Sequence, residues 1–469
     1  MITSDTIEGL AGELRSQLRG GVTAQGDDAY ETARKVYNGM IDRRPALIAA
    51  CADVADVMAS VRFAREHQLP LAVRGGGHSG PGLGTCDDGL VIDLSRMRGI
   101  RVDPATASVR VDGGCVWGDV DHATHGFGLA VPSGFISSTG VGGLALGGGI
   151  GYLARRYGLT IDSLLGADVV LADGTFVSAT ANEHADLFWA IRGGGGNFGV
   201  VTSFLFKAHP VDVVYGGPIF WDLKYAADVL PKWRDFMLQA PEEINGWFAF
   251  VTVPPGPPFP AEHHLKKMCA TVWCYTGALD GGEAALRPVR KFAPPVMDFA
   301  GPIPFPVLQS MFDPVYPPGL QWYWKADFLR DLPDAAIELH LKYGERLPSM
   351  HSTMHLYPIN GAAHRVARDE TAFSFRDANF AEVIVGVDPD PANNTRIIEW
   401  AKDYWQALHP FSAGGAYVNM VMDEGSDYVK SAYRDNYPRL AKIKTKYDPG
   451  NLFHVNQNIE PAGQHPLQN

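Results

Sequence analysis

Arg74-Gly75-Gly76-Gly77-His78-Ser79-Gly80 follows the apolar run Leu71-Ala72-Val73 and constrains this chain more than any other segment. The apolar run reads as a buried strand. The three glycines after it lack the Cβ atoms that would hold a backbone loop away from a ligand. Their N–H groups can converge on an anion, and His78 then lies beside whatever the loop holds. Taken alone, the segment fits a phosphate-bearing cofactor touched by an imidazole and a glycine turn with a solvated histidine equally well.

Two further glycine runs shift that balance. Gly140-Val141-Gly142-Gly143-Leu144-Ala145-Leu146-Gly147-Gly148-Gly149-Ile150-Gly151-Tyr152 is the second, and Gly193-Gly194-Gly195-Gly196-Asn197-Phe198-Gly199 the third. The third leads into the strand-like run 200–206. No strand–loop–helix unit carries a GxGxxG fingerprint with an acidic residue at the expected distance, so a Rossmann site is not indicated. Three loops between residues 74 and 199 fit backbone lining a long, extended dinucleotide.

The 469 residues suffice for two domains with separate cores. A net charge of −12, with no basic run, argues against a nucleic-acid or anionic-membrane partner. Residues 1–8 carry neither a basic nor an apolar signal region, and no window is apolar enough to span a membrane. The five cysteines (Cys51, Cys86, Cys115, Cys269 and Cys274) are scattered and include no CxxC, which predicts neither a disulfide framework nor a zinc site. A cytoplasmic location is expected. His263-His264 and His351 with His355 lack carboxylate or thiolate partners at metal-ligand spacing, so no metal is expected.

Val54, Val57, Met58, Val61 and Ala64 predict a helix over 53–68 that leads into the strand before His78. Short strands are predicted at 90–94, 99–102 and 108–111, and a hairpin turn at Asp173-Gly174. Beyond His209-Pro210 the pattern changes. Runs such as Lys267–Tyr275, 349–357 and 380–387 predict an antiparallel sheet with one face free. Helices are predicted at 335–343 and 394–408, and a stiff loop at Pro254–Pro260. The expected architecture is α+β: a cofactor domain over 1–210, an inserted substrate domain over 211–414, and a return to the cofactor domain over 415–469.

Arg74–Gly80, Pro132–Tyr152, Arg155–Leu159 and Asp186–Thr202 resemble FAD-linked oxidases of the vanillyl-alcohol oxidase superfamily, with its PCMH-type FAD domain. Tyr417-Val418-Asn419, Tyr433, Asn436–Leu440 and Lys446–Ile459 extend the similarity to the berberine-bridge-enzyme-like branch, near the bacterial 6-hydroxy-D-nicotine oxidase type. The resemblance implies FAD bonded through its 8α-methyl to His78. The position of the family's second, cysteinyl link falls on Ile136, so one covalent link is expected. It also implies cofactor contacts from Arg74, Gly75, Gly76, Gly77, His78, Ser79, Gly80, Pro132, Ser133, Gly134, Ser138, Thr139, Gly140, Gly142 and Gly143. Further contacts are implied from Gly147, Gly148, Gly149, Gly151, Tyr152, Gly199, Val200, Val201, Asn419, Asn456 and Gln457. The last three offer amides that can both donate and accept at the flavin's pyrimidine edge, with Asn419 expected on the same strand face as Tyr417.

The implied activity is removal of hydride from a small alcohol, amine or alkaloid-like substrate, with molecular oxygen as acceptor and hydrogen peroxide as product. A dehydrogenase with another acceptor and a non-catalytic metabolite binder are the alternatives. Tyr417, at the start of the Tyr-x-Asn segment, is the leading catalytic candidate, as base, hydrogen-bond donor or wall. The carboxylate of some plant-type members aligns with Gly386, leaving Glu382, on the same face of a predicted strand, and His355 as lesser candidates. Thr139 falls where side-chain size governs access of oxygen to the flavin. Trp247–Phe250 and Trp322–Trp324 are candidates to line a flat apolar pocket, and equally to fill a core.

Overall fold

A computed structural model describes residues 4–415 and 417–463. Met1–Thr3, Ala416 and residues 464–469, all within segments expected to belong to the cofactor domain, lie outside the described residues.

Strands β1 (Gly21–Ala24), β2 (Leu47–Ala50), β3 (Leu71–Arg74) and β4 (Leu90–Asp93) form a sheet in the order β1-β2-β4-β3. β2, β4 and β3 run parallel. The crossover between β2 and β3 is the helix Val54–Glu66, whose N-cap Asp53 accepts from Asp56 N. It buries Val57, Val61 and Ala64, the face its spacing predicts. The His78 loop leaves the carboxyl end of β3, where parallel strands deliver ligand-binding loops. Arg74 is fixed there by Asp93 at the end of β4, 2.7 Å away.

Strands β5 (Ile100–Asp103), β6 (Ser108–Asp112), β7 (Leu129–Ala130), β8 (Leu164–Val170), β9 (Phe176–Thr180), β10 (Val200–Lys207) and β11 (His209–Pro210) follow. Five of them form an antiparallel sheet ordered β5-β6-β10-β8-β9, and β7 pairs with β11. The Asp173-Gly174 turn joins β8 to β9. The middle glycine run supplies the helix Val141–Leu146. Its N-cap Gly140 crosses Gly76: a Cβ on Gly140 would sit 2.3 Å from Gly76 N, and one on Gly76 would sit 2.4 Å from Gly140 N. Only glycine at both positions lets the first two loops touch.

The inserted sheet contains β12 (Val213–Asp222), β13 (Ile244–Thr252), β14 (Lys267–Tyr275), β15 (Met297–Asp298), β16 (Gly301–Pro304), β17 (Gln321–Leu329), β18 (Thr353–Pro358) and β19 (Phe380–Asp388). Its order is β15-β12-β14-β13-β18-β19-β17, with β16 also paired to β12, and its pairings are antiparallel. The expected free face is covered. Helices Ala226–Gln239, Asp334–Gly344 and Asn394–Leu408 pack on one face, and the other meets the glycine loops, so every residue of β19 is buried.

The chain then returns to the first domain. Tyr433, Leu440, Ile443 and Tyr447, from helices Ser426–Tyr433 and Tyr437–Tyr447, join the core that includes Phe204 and Trp189. Buried Lys444 donates to the Asn197 carbonyl and to Asp448, both at 2.7 Å, which ties this return to the third glycine loop. Among the described residues no helix is long and apolar enough to cross a membrane.

Candidate active site

The three glycine loops, the carboxy-terminal return and the inner face of the inserted sheet enclose one cleft of about 1010 Å³. That volume lies at the top of the ~300–1,000 Å³ range of small-molecule sites.

His78 sits on its wall. Its ring stacks on Tyr37, with centroids 3.8 Å apart and planes 18° apart, and Nε2 is 3.2 Å from Ser138 Oγ. Burial pushes its pKa down to about 4, so the imidazole is neutral and nucleophilic at neutral pH. Tyr37 is itself anchored: its N–H donates to Gly77 O, and its hydroxyl donates to Tyr316 O at 2.6 Å.

Tyr417 also lines the cleft. Its hydroxyl oxygen accepts from Gly149 N and from Asn419 Nδ2, each at 2.9 Å. Burial raises its pKa to about 12. With both lone pairs engaged, the neutral phenol can donate its proton but cannot accept another. Asn419 lies in a 3₁₀ turn, Val418–Met420, rather than on a strand, and its amide packs against Gly147.

The inserted domain contributes Trp247, Trp322, Trp324, His351, His355, Tyr357, Val383 and Val385 to the cleft. Strand alternation sends Phe248, Phe250 and Tyr323 to the helix-covered face instead. Among the described residues, the cleft lining contains no aspartate, glutamate or lysine, and its one arginine, Arg74, is paired with Asp93.

Of the residues singled out from sequence, Arg74, Gly75, Gly76, Gly77, His78, Ser79, Gly134, Thr139, Gly140, Gly142, Gly143, Gly199, Val201, Tyr417, Asn419, Asn456, Gln457 and His355 line this cleft. Others stand behind it. Val200 points into the core of the β1–β4 sheet, because alternation along β10 turns it away from Val201. Ser133 accepts from Gln309 Nε2, Gly151 backs onto the Ser133 carbonyl, and Tyr152 is buried against Phe135. Gly80 packs on Trp324, Gly148 on Phe373 and Gly149 on Thr160, while Gly147 is reached through Asn419. Pro132 is buried beneath the loop, and Ser138 acts on His78 rather than on the cleft.

Glu382 is not in the site. It lies on the helix-covered face of β19 with Phe380 and Ile384, fully buried, opposite Asp327 in the register. Burial and the neighbouring Asp327 hold its pKa well above the carboxylate range. Gly386 shares that face: a Cβ there would meet the Ile397 carbonyl at 2.5 Å. The cleft-facing positions of β19 are Val383 and Val385, so this strand offers the cleft no base.

Further side chains also matter, among them Trp322, one of the aromatics expected to line the pocket. The Tyr433 hydroxyl and Trp322 Nε1 line the cleft yet have no partner among the described residues. Tyr37 orients His78, and Tyr357 reaches His355 Nδ1 at 2.5 Å. Tyr357 follows His355 by two residues in a predicted strand, a same-face spacing visible in the sequence. Tyr37 carries no motif.

The cleft fits FAD. Backbone N–H groups of Gly76, Gly77, His78 and Ser79 donate to no acceptor among the described residues, and Gly142 and Gly143 occupy the first helical turn, whose N–H groups lack intrahelical acceptors. A Cβ at Gly143 would meet nothing within 4 Å, so the cradle is open there. The unpartnered Tyr433 hydroxyl supplies a further buried polar contact.

Comparison with known proteins agrees with this geometry. Residues 45–180 match the FAD binding domain family, and residues 416–460 match the family described as berberine and berberine like. An FAD-linked oxidoreductase of Dictyostelium discoideum is 32% identical over 457 residues, spanning 96% of this chain and 97% of that protein. The (R)-6-hydroxynicotine oxidase of Paenarthrobacter nicotinovorans is 28% identical over 463 residues, spanning 95% and 98%. The crystal structure of 6-hydroxy-D-nicotine oxidase from Arthrobacter nicotinovorans superposes with a TM-score of 0.84 at 26% identity, covering 94% of this chain and 98% of that one. The fold is the PCMH-type FAD-binding fold, and the protein is an FAD-linked oxidoreductase. Within that class the chain belongs to the berberine-bridge-enzyme-like family.

Proposed function

We propose that this enzyme oxidises an uncharged alcohol or amine with an aromatic or other flat apolar body, using FAD bonded to His78. The observation that carries this reading is the pairing of a neutral, stacked His78 with an aromatic chamber whose lining, among the described residues, holds no acidic residue or lysine. Charged substrates would enter such a chamber unpaired, at a cost of several kcal/mol. One relative is named (R)-6-hydroxynicotine oxidase, and a small organic substrate of that kind is in line with this class.

FAD supplies the hydride acceptor and delivers the electrons to oxygen, giving hydrogen peroxide. The chain's residues do the rest. His78 holds the cofactor covalently, and Asn456 and Gln457 contribute amides to the cofactor side of the cleft. Tyr417 donates its hydroxyl proton to the reacting region, since Gly149 and Asn419 occupy its lone pairs. Thr139 leaves room for oxygen. In this reading residues 1–210 and 415–469 make the cofactor domain and 211–414 the substrate domain. The five cysteines, all buried and unpaired, favour a cytoplasmic location.

The test is an anaerobic screen for flavin bleaching with benzylic alcohols, secondary amines, 6-hydroxynicotine and oligosaccharides, followed by admission of oxygen. Bleaching by a neutral aromatic compound with prompt reoxidation supports the reading. Bleaching without reoxidation identifies a dehydrogenase, and bleaching by oligosaccharides alone contradicts the substrate class.

A further inference from the structure

Three side chains on the cleft face of β18 form a hydrogen-bonded chain whose proton directions are fixed. Thr353 Oγ1 is 2.8 Å from the Phe250 carbonyl, which can only accept, so the threonine proton points there. The same oxygen lies 3.1 Å from His355 Nε2 and is left to accept from it, which places the imidazole proton on Nε2. His355 Nδ1 is then a bare acceptor, and Tyr357 Oη, 2.5 Å away, donates to it. The residues alternate at i, i+2 and i+4 along one strand, so they share a face. Burial leaves this imidazole neutral and free to accept a proton in the resting enzyme, and sets an energetic cost on the imidazolium that acceptance forms.

Tyr357 sits where the inserted sheet meets the cofactor loops. Its ring stacks on Phe135 at 4.3 Å and 14°, and Phe135 precedes Ile136 in the segment leading to the middle glycine run. The titratable groups facing it, besides His355, are Tyr152 and Tyr316. Tyr417 has both lone pairs occupied, and Glu382 faces away, so neither can take a proton in the cleft.

We propose that Tyr357 takes the proton of the substrate's O–H or N–H group while its own proton passes to His355 Nδ1. This rests on the oxidoreductase reading above. The substrate's X–H bond breaks as an O–H bond forms on Tyr357, and the old Tyr357 O–H bond breaks as an N–H bond forms on His355. The substrate's C–H leaves as hydride, with its electron pair, to FAD, which is reduced. The X–H electron pair becomes the C=X π bond, so the substrate loses two electrons and the remaining proton rests on His355 as imidazolium. Tyr357 is a catalytic residue in this scheme. His355 and Thr353 are positioning residues acting through it.

Two measurements on the holoenzyme test the relay apart from turnover. In ¹⁵N-histidine-labelled enzyme, His355 should show the Nε2–H tautomer with an Nδ1 acceptor signal that shifts in Tyr357→Phe. 4-Nitrophenol added anaerobically, at a pH where it is protonated in solution, should develop phenolate colour on binding to wild type and to Tyr417→Phe. Tyr357→Phe and His355→Gln should give none. In parallel, Tyr357→Phe should slow flavin reduction ~10²–10⁴-fold, the usual effect of losing a general base, with the rate climbing as pH rises. A wild-type enzyme that gives no phenolate colour, an Nδ1–H tautomer at His355, or equal colour in Tyr357→Phe overturns the relay. If no compound reduces the wild-type flavin, the oxidoreductase reading fails while the tautomer and 4-nitrophenol signals still decide the relay.

Discussion

The ring of Tyr37 lies flat on the ring of His78, 3.8 Å between centroids, its hydroxyl donating to Tyr316 O while its backbone N–H donates to Gly77 O. Tyr316 belongs to the segment before β17, so the inserted domain helps orient the histidine of the cofactor loop. Tyr37→Leu should remove the stack while leaving the glycine cradle. FAD should still bind, but the fraction retained after denaturation should fall, as read by flavin absorbance of acid-precipitated protein. An unchanged fraction would show that Ser138 alone suffices to orient the ring.

The crossing of Gly76 and Gly140 makes a second expectation. A Cβ at Gly140 would lie 2.3 Å from Gly76 N and 2.8 Å from its Cα, both backbone atoms that cannot swing aside. Gly140→Ala should therefore force the two loops apart, costing ~1–3 kcal/mol as overpacking does. Urea unfolding of the holoenzyme and flavin content after gel filtration should both fall. Full flavin content at wild-type stability would mean the loops can move apart freely.

Tyr417→Phe should slow flavin reduction by about tenfold to a hundredfold, the worth of one hydrogen bond to a group gaining charge, ~1.5–3 kcal/mol. FAD content should hold. A loss as large as that expected for Tyr357→Phe would return the base role to Tyr417.

Thr139 lines the cleft, and its side chain is no larger than valine's. Thr139→Leu should slow reoxidation of photoreduced enzyme in stopped-flow mixing with oxygen, with little change in reduction by substrate. Equal reoxidation rates would place oxygen's path elsewhere.

Stability should fall with acid. His340 is fully buried, with Nδ1 bonded to the Tyr404 hydroxyl, and burial lowers its pKa from 6.5 to about 3. The folded chain thus binds fewer protons than the unfolded chain between those values. Its contribution is complete above pH 6.5 and is lost as pH falls toward 3. Each such histidine adds at most ~1.4 kcal/mol per pH unit. His340→Gln should flatten the pH dependence of the urea midpoint between pH 6.5 and 4, and an identical slope would contradict the assignment.

Much of this was legible beforehand. Lys267–Tyr275 and Asn394–Leu408 coincide with β14 and a helix, since the one is a long, mostly apolar run and the other repeats its apolar residues at helical spacing. The glycine loops could be read because only glycine permits their close crossings. The strand carrying Glu382 was legible, but not which of its faces meets the cleft: β19 is buried on both sides, so no polar alternation marks one. The turn that holds Asn419 is hidden in the sequence, because a three-residue 3₁₀ turn leaves no periodic signal. Tyr37 acts across a fold-dependent distance that no local pattern encodes.

A flavin bonded to His78 is the most directly testable feature of the proposed chemistry. Tryptic digestion should release His78 on the peptide Gly75–Arg96. Mass spectrometry of denatured, digested holoenzyme should find one FAD per chain on that peptide, attached to His78. Flavin released entirely into the acid supernatant, or found on any other residue, would contradict it.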